Sequence, residues 1–582
     1  MRKVLSVSIL LLVPAVCAIA VPGDVDSAFN PDANRPVVGM AFEPEGTILI
    51  AGDFEFVGAT GRSRLARLHA NGILDTTFDA QITGIAGLDT VTALTDGRII
   101  IGGDFTTVAG VTRNFLARVN PGGSLDAAFN PNPDTEVRTV AVQPDGRTVV
   151  AGSFLSIGGV SRNRIARLNA DGSLDPGFNP NANALVRTPA IQPDGKIIIG
   201  GAFTTVGGVN RNLIARVNAD GSVDTTFNPN VTGTAVYCVE VQAGGKILLG
   251  GLFTAVGGVS RTNLARLNPD GSVDTGFTAS ANDLVRSTVT QADGRVVIAG
   301  GFTSVNSTVR NRVARLNANG TLDLPFNPNA NALIWGTAIG ADGKVVIGGE
   351  FTTVGGALHN RFARLANDPA TQSLTAPSPV RVQWLRGGTS PETQQVTFEL
   401  STIGGSAWNL LGSGSRIAGG WELSGISLPA DGQIRARARI TGGYANGSSG
   451  LVETVAPFSF TPQQLWRQTH FGSVANSGDA ADEADPDSDG LANLIEFAFG
   501  LDPRRSDAAS LPSWQHIDDD YVLTFTRPAE ASGVTCVAEY STSLNTKDWT
   551  AIPNSTVEPL HTFYAPAGFE SRLYLRLCVI VR

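Results

Sequence analysis

One stretch near the C-terminus has the composition and spacing of a cation loop: Asp485-Pro486-Asp487-Ser488-Asp489-Gly490-Leu491-Ala492-Asn493-Leu494-Ile495-Glu496. Carboxylates stand at loop positions 1, 3, 5 and 12, Asn493 stands at 9, and Leu491 offers its main-chain carbonyl at 7. The glycine at position 6 permits the sharp turn that converges them. Oxygen donors with no histidine or cysteine nearby favour calcium over zinc. Calcium is therefore the expected cofactor, and a single loop suits a structural clamp better than a sensor.

A second set of residues suits a charged partner. Asp89, Arg138, Arg187, Tyr237, Arg286 and Trp335 occupy one corresponding position of an internal repeat. Guanidinium forks pair carboxylates, and aromatic rings stack on apolar faces. The set fits an anionic ligand with a flat face, such as an acidic sugar, which Asp89 would orient. Catalysis has less to stand on. The histidines, His69, His359, His470, His516 and His561, are dispersed, and neither G-x-S-x-G nor H-E-x-x-H occurs. A glycosidase needs only two carboxylates, yet this set supplies Asp89 alone. Non-catalytic binding or surface interaction is the expected function, with a carbohydrate-active enzyme, glycosidase or lyase, at the same place as the alternative.

The elements that position these residues follow from the repeat. A Gly-x-Phe motif puts its phenylalanine at Phe54, Phe105, Phe154, Phe203, Phe253, Phe302 and Phe351, at spacings of 51, 49, 49, 50, 49 and 49. In the unit Val137 to Phe178 four short strands can be read: VRTVAVQ, RTVVAGSF, RIARLN and SLDPGF. Gln143-Pro144-Asp145-Gly146 and Asn169-Ala170-Asp171-Gly172 have the composition of hairpin turns that end in a left-handed glycine. Leu168 should then face Leu174, and Arg167 should face Asp175. Four antiparallel strands in about 49 residues, repeated through the chain, are the arithmetic of a propeller blade. The expected fold is all-β: a seven-bladed β-propeller, small β-sandwich modules and a short helical calcium-loop segment. Val25 to Phe29 reads as a fourth strand and Arg361 to Leu365 as a third, so the N-terminal strand should complete the last blade and remove two open edges.

Two positions are the same in every unit. Arg67, Arg118, Arg167, Arg216, Arg266, Arg315 and Arg364 should pair across strands with Asp75, Asp126, Asp175, Asp224, Asp274, Asp323 and Asp26. A rim position carries Arg62, Arg113, Arg162, Arg211, Arg261 and Arg310, with His359 in the seventh unit. These are expected to bond carbonyls of the neighbouring blade, a basic collar being the alternative. The position carrying Val38, Asp89, Arg138, Arg187, Tyr237, Arg286 and Trp335 differs from unit to unit, whereas the next is small throughout: Gly39, Thr90, Thr139, Thr188, Cys238, Ser287 and Gly336. A crowded ring centre explains the small residues, and a ligand site at the channel mouth explains the unequal ones.

The unit NADGSLDPGFNPN…VQPDGKIIIGGAFTTVGGVNRNLIARVN resembles the bacterial delta-60 repeat, a β-propeller family of secreted proteins, and the resemblance covers residues 24–367. It departs from the pattern at Asp79-Ala80-Gln81 and at Gly244-Gly245. The resemblance implies a binding platform and supplies no catalytic residue. The loop from Asp485 to Glu496 resembles the calcium loops of dockerin and thrombospondin type 3 modules.

With 582 residues the chain has room for about three to five domains. Gly 67 and Pro 31 against 16% charged residues describe a turn-rich protein, and 42% hydrophobic content excludes general disorder. Arg2, Lys3, the apolar run Val4 to Val16 and Ala18-Ile19-Ala20 read as an export signal cleaved after Ala20. No later stretch is apolar enough to insert into a membrane. Loss of Arg2 and Lys3 takes the net charge from −9 to −11, which argues against nucleic acid as partner. A secreted bacterial monomer is expected, in the extracellular space, at the cell surface or in the periplasm, with a carbohydrate or protein as ligand. The expected organisation is a signal at 1–20, a propeller at 21–367, an immunoglobulin-like sandwich at 376–458 after the linker Asp368 to Pro379, a helical calcium-loop segment at 461–508 and a β-sandwich module at 513–582. Thr461-Pro462-Gln463-Gln464 has the form of a capped helix start, and Gly472 should end that helix. Cys536 and Cys578 both lie in strand-like segments near the C-terminus and are candidates for a disulfide.

Overall fold

Antiparallel hairpins build the ring, in the register that the turns require. In the third repeat Val137–Val142 pairs with Thr148–Gly152, which pairs with Ile165–Leu168. Gly146 at φ 81° and Gly172 at φ 94° take the left-handed conformation. Leu168 bridges Leu174, and the Asp175 N–H donates to the Arg167 carbonyl at 2.9 Å. The fourth strand is shorter than expected. Each blade has three strands and an outer segment that makes a single bridge, such as Leu68 to Leu74 or Val217 to Val223. The reason lies one residue on: Asp175 Oδ1 accepts the Gly177 N–H at 3.0 Å, as Asp75 Oδ1 accepts that of Thr77 at 2.9 Å. This turn bends the chain inward and drives Phe178 and Phe78 into the core, where both are fully buried.

The structure is a computed structural model that describes residues 21–402, 407–444, 450–543, 545, 548–556, 558–566 and 572–581; the expected signal at 1–20 lies outside them. The inner strands, Val37–Phe42, Ile82–Ala93, Val137–Val142, Val186–Ile191, Val231–Val241, Val285–Thr290 and Ile334–Ile339, pack each against the next and the seventh against the first. The ring is therefore closed. At its seam Val25 bridges Leu365, and the N–H groups of Gly23, Asp26 and Ala366 donate to the carbonyls of Ala366, Arg364 and Asp24 at 2.8, 2.8 and 2.7 Å.

The repeated arginine and aspartate pair in all seven blades, at 2.7–2.8 Å. Each guanidinium also covers a phenylalanine ring, at 4.5 Å for Arg167 over Phe178 and 4.3 Å for Arg364 over Phe29. Its remaining nitrogen reaches the following blade, as from Arg67 to the Pro121 carbonyl, and Arg364 reaches Ala70 in the first. One side chain per repeat thus joins a cross-strand pair, a core ring and the neighbouring blade.

By packing the chain divides into two units. The first holds the ring through Gln372 together with Arg386–Val396 and Arg437–Glu453; the second holds Ser373–Leu385, Thr397–Ala436 and Thr454–Arg582. The span 376–458 is shared between them, because two of its segments pack on ring strands. Within the first unit, Arg439 donates to the Ala93 carbonyl at 3.0 Å, Thr441 Oγ1 bonds Glu240 at 3.0 Å, and Gly443–Tyr444 pairs antiparallel with Ser287–Thr288. Ala93 and Glu240 lie near the far ends of inner strands and Ser287 near a start, so this segment runs lengthwise through the channel. Arg386–Val396 meets the far ends of the strands, where the Glu392 N–H donates to the Thr290 carbonyl at 2.9 Å.

In the C-terminal region Ala370–Ser378, Arg381–Gly388, Gly420–Ser424 and Ser415–Ile417 form one four-stranded sheet, and Asn409–Ser413, Thr393–Ser401, Asp431–Ile440 and Leu451–Ser459 another. The stretch expected as a linker is thus mostly strand. Helix Pro462–Phe471 carries the expected capping box between Thr461 and Gln464 and ends at Gly472, φ 70°. Phe497 and Ala498 of helix Asn493–Phe499 share one core with Leu523, Val534, Phe563 and the partly buried Trp466 and Trp514, so residues 461–508 and 513–582 pack as one body. Val537 faces Cys578 while Cys536 faces Val579, which points the two thiols to opposite faces of the sheet. Both are free. Among the described residues no helix is long and apolar enough to cross a membrane.

Candidate functional site

The ring centre is as crowded as its small residues imply. A Cβ on Gly336 would sit 2.6 Å from the Val38 carbonyl oxygen, and one on Gly39 would sit 3.0 Å from that of Asp89. The preceding position is thereby presented at the mouth, and its side chains meet there in two groups. Arg138 pairs with Asp89 at 3.1 Å and with Glu136 at 2.8 Å. Burial, opposed by Arg138 and reinforced by Glu136, raises the Asp89 carboxyl to about 7. In the other group Arg187 lies over Tyr237 at 4.3 Å, and Arg286 lies between Trp335 at 3.7 Å and Tyr237 at 5.2 Å. Trp335 Nε1 donates to Glu350 at 3.2 Å. Among the described residues neither Arg187 nor Arg286 has a carboxylate partner, and the Nε of each is buried without a hydrogen bond. Burial, opposed by Tyr237 and reinforced by the charge of Arg286, lowers the Arg187 pKa.

Two expectations need correction. Arg138 is already engaged by both Asp89 and Glu136, unlike Arg187 and Arg286, so it is a less available partner for a ligand than its sequence position implies. The mouth is also less open than a bare ring would be, because Tyr444, 9% exposed, stands 6.5 Å from the Trp335 ring, with the Arg286 guanidinium 5.6 Å from the centre of its own ring. Tyr444 lies outside the repeat, and only the tight Gly442-Gly443-Tyr444 sequence marks it. The rim arginines bond carbonyls of their own blade rather than the next: Arg62 reaches Gly61 and Thr76, both at 2.8 Å, and Arg113 reaches Thr112 and Ala127, both at 2.8 Å. With Arg62 and Arg113 so engaged, the rim does not form a free basic collar.

The cation loop gathers its acids. Asp485, Asp487 and Asp489 bring one oxygen each within 4.8 Å of one another, as do Asp489, Glu496 and Asp507. Glu496 is fully buried with both carboxylate oxygens unbonded, and Asp487 Oδ2, Asn493 Oδ1 and Asp507 Oδ1 are likewise buried and unbonded. Burial and the charges of Asp487, Asp489, Asp507 and Asp485 raise Glu496 to about 7. Leu491 gives its N–H to Asp489 Oδ1 at 2.9 Å. The Asn493 amide donates to the carbonyls of Asp479 and Ala481 at 2.8 and 2.7 Å, anchoring the loop to the preceding turn. Buried acceptors without donors are costly unless a cation supplies the missing charge. Asp507 escapes a sequence reading because it follows the loop by a helix and a turn.

Seven segments, residues 43–78, 94–129, 143–178, 192–227, 242–277, 291–326 and 340–368, match the family described as Domain of unknown function (DUF5122) beta-propeller. The ring is a β-propeller built from these repeats. Similar solved structures include the WD40 beta propeller domain of Doa1, 14% identical over 60% of this chain and 97% of that one, TM-score 0.40. PorZ, a surface component of the type-IX secretion system of Porphyromonas gingivalis, is 12% identical over 76% of this chain and 60% of its own, TM-score 0.36. YCF48 bound to D1 peptide is 11% identical over 60% of this chain and 100% of its own, TM-score 0.34. Among curated proteins none matches.

Proposed function

We propose that this propeller, with repeats of the delta-60 type, belongs to a secreted non-catalytic binding protein that takes an anionic ligand at the channel mouth, and that its C-terminal loop holds a structural calcium ion. The observation that carries the first part is the pair Arg187 and Arg286, whose guanidinium groups face aromatic rings and no carboxylate. Two like charges withdrawn from water are unfavourable until an anion joins them. A carboxylate between the two forks would provide that charge, and Tyr237 and Trp335 would flank the apolar face of a uronic acid or the side chain of an acidic peptide. The calcium reading is supported by the unbonded buried oxygens of Glu496, in an all-oxygen donor set suited to a hard cation.

The enzyme alternative has less support. A retaining glycosidase holds its two carboxyls about 5–5.5 Å apart and an inverting one more. Asp89 and Glu136 instead both engage the Arg138 guanidinium, at 3.1 and 2.8 Å. The test is a binding screen of the full chain against uronic-acid oligosaccharides, neutral glycans and acidic peptides, with hydrolysis followed on the same glycans. An anionic class should bind, and the variant carrying Arg187→Ala and Arg286→Ala should lose it while Arg138→Ala retains most of it. Equal binding by the double variant removes the mouth from consideration, and turnover of a glycan refutes the non-catalytic reading.

A further inference from the structure

We infer that Asp507, outside the twelve-residue loop, is a ligand of the calcium ion, and that the bound ion fastens the loop to the Asp502–Ser510 segment that leads into the C-terminal strands. The inference rests on the reading of Asp485–Glu496 as a calcium loop.

Three observations place Asp507 in the site. Its carboxylate comes within 4.8 Å of those of Asp489 and Glu496. Its Oδ2 accepts the Asp502 N–H at 3.1 Å, while its Oδ1 is buried and unbonded beside the equally unbonded Glu496. The N–H groups of Asp507 and Ala508 both donate to Asp489 Oδ2 at 2.8 Å, so the segment grips the loop by its backbone as well. A surface turn would ordinarily point an aspartate to water. This one is turned inward toward two other acids, and among the described residues no lysine or arginine pairs with Asp485, Asp487, Asp489, Glu496 or Asp507, although Arg504 and Arg505 are close in sequence. The missing positive charge is the cation.

The donor count agrees. Calcium takes about six to eight oxygens. The Asn493 amide is committed to the carbonyls of Asp479 and Ala481, which leaves loop position 9 a restrained contributor, and Asp507 supplies a further carboxylate on the Glu496 side.

The full chain is titrated calorimetrically with calcium chloride as wild type, Asp507→Asn and Glu496→Gln, and each is melted in calcium and in chelator. Asp507→Asn preserves the size of the side chain and the acceptor for the Asp502 N–H. It should weaken calcium binding by about tenfold or more at unchanged stoichiometry, because affinity follows ligand charge. In chelator it should melt at or above the wild-type temperature, since one of the converging negative charges is gone. Calcium should slow tryptic cleavage at Arg504 and Arg505 in the wild type and much less in Asp507→Asn. Wild-type-like affinity in Asp507→Asn, with Glu496→Gln inactive, overturns the role of Asp507 and leaves the loop reading intact. An equal loss of melting temperature in calcium and in chelator marks Asp507 as a turn residue and also overturns it. No calcium binding by the wild type removes both readings.

Discussion

Deleting residues 21–30 opens the seam, and the structure sets how much this should cost. Phe29 is fully buried, 4.3 Å under the Arg364 guanidinium and 5.8 Å from Phe362. Loss of a buried phenylalanine side chain costs about 3–5 kcal/mol. The hydrogen bonds joining Gly23, Asp24 and Asp26 to Arg364 and Ala366 contribute about 0.5–1.5 kcal/mol each. The part-exposed pair of Asp26 and Arg364 adds about 0.2–1 kcal/mol. Together these reach about 5–10 kcal/mol, as large as the whole stability of many domains, about 5–15 kcal/mol. The deletion should therefore unfold the ring or leave it marginal, measured by urea denaturation followed by circular dichroism. Phe29→Ala alone should cost about 3–5 kcal/mol, the same as Phe178→Ala inside the third blade, because both rings are fully buried in equivalent places. A deletion that lowers stability by less than about 1–2 kcal/mol would refute closure by the N-terminal strand.

Anion binding at the mouth should strengthen as pH falls from about 8 to about 6, because Asp89, raised to about 7 mainly by burial, takes up a proton and removes a negative charge; a flat pH profile of binding would count against the site. The same raised value means that the stability contributed by Asp89 is present below the ordinary aspartate range near about 4 and is lost as pH rises through about 7. The repeated aspartates that pair with arginine in each blade have the opposite sign: burial alone would raise Asp75, but the bonds from Thr77 and Arg67 bring it to about 2, and Lys246 and Arg266 do the same for Asp274. Their contribution should be present above about 4 and lost as pH falls toward about 2, seen as acid unfolding of the ring. Cys238, pushed up to about 12 by complete burial, should resist a thiol reagent in the native protein and react once it is unfolded. Glu240, raised by burial and bonded by Thr288, Thr290 and Thr441, should tolerate Gln within about 1 kcal/mol, whereas Ala should cost about 2–4 kcal/mol and loosen the channel segment. Thermal melts of the two variants check it.

The ring was legible in the chain because its causes are local and repeated. A turn such as Asn169-Ala170-Asp171-Gly172 specifies its own hairpin, the hairpin sets Arg167 against Asp175, and a period that returns every blade leaves little freedom in how the copies associate. The capped helix at Thr461 and the acids of the Asp485–Glu496 loop were legible for the same reason: their determinants lie within one turn of one another. The outer strand was overestimated because strand-like residues cannot pair beyond the point where the Asp175 turn draws Phe178 inward.

What only the tertiary structure decided are meetings between residues far apart in the chain. Tyr444 reaches Arg286 and Trp335, Glu136 and Asp89 compete for Arg138, and Asp507 joins Glu496. No period or turn encodes these contacts. They arise because packing brings separate segments to one place, and there burial makes each charge seek whatever partner is within reach. The charged residues at the mouth are therefore divided by their surroundings: Arg138 is satisfied by carboxylates, while Arg187 and Arg286 are held by aromatic rings that cannot neutralise them.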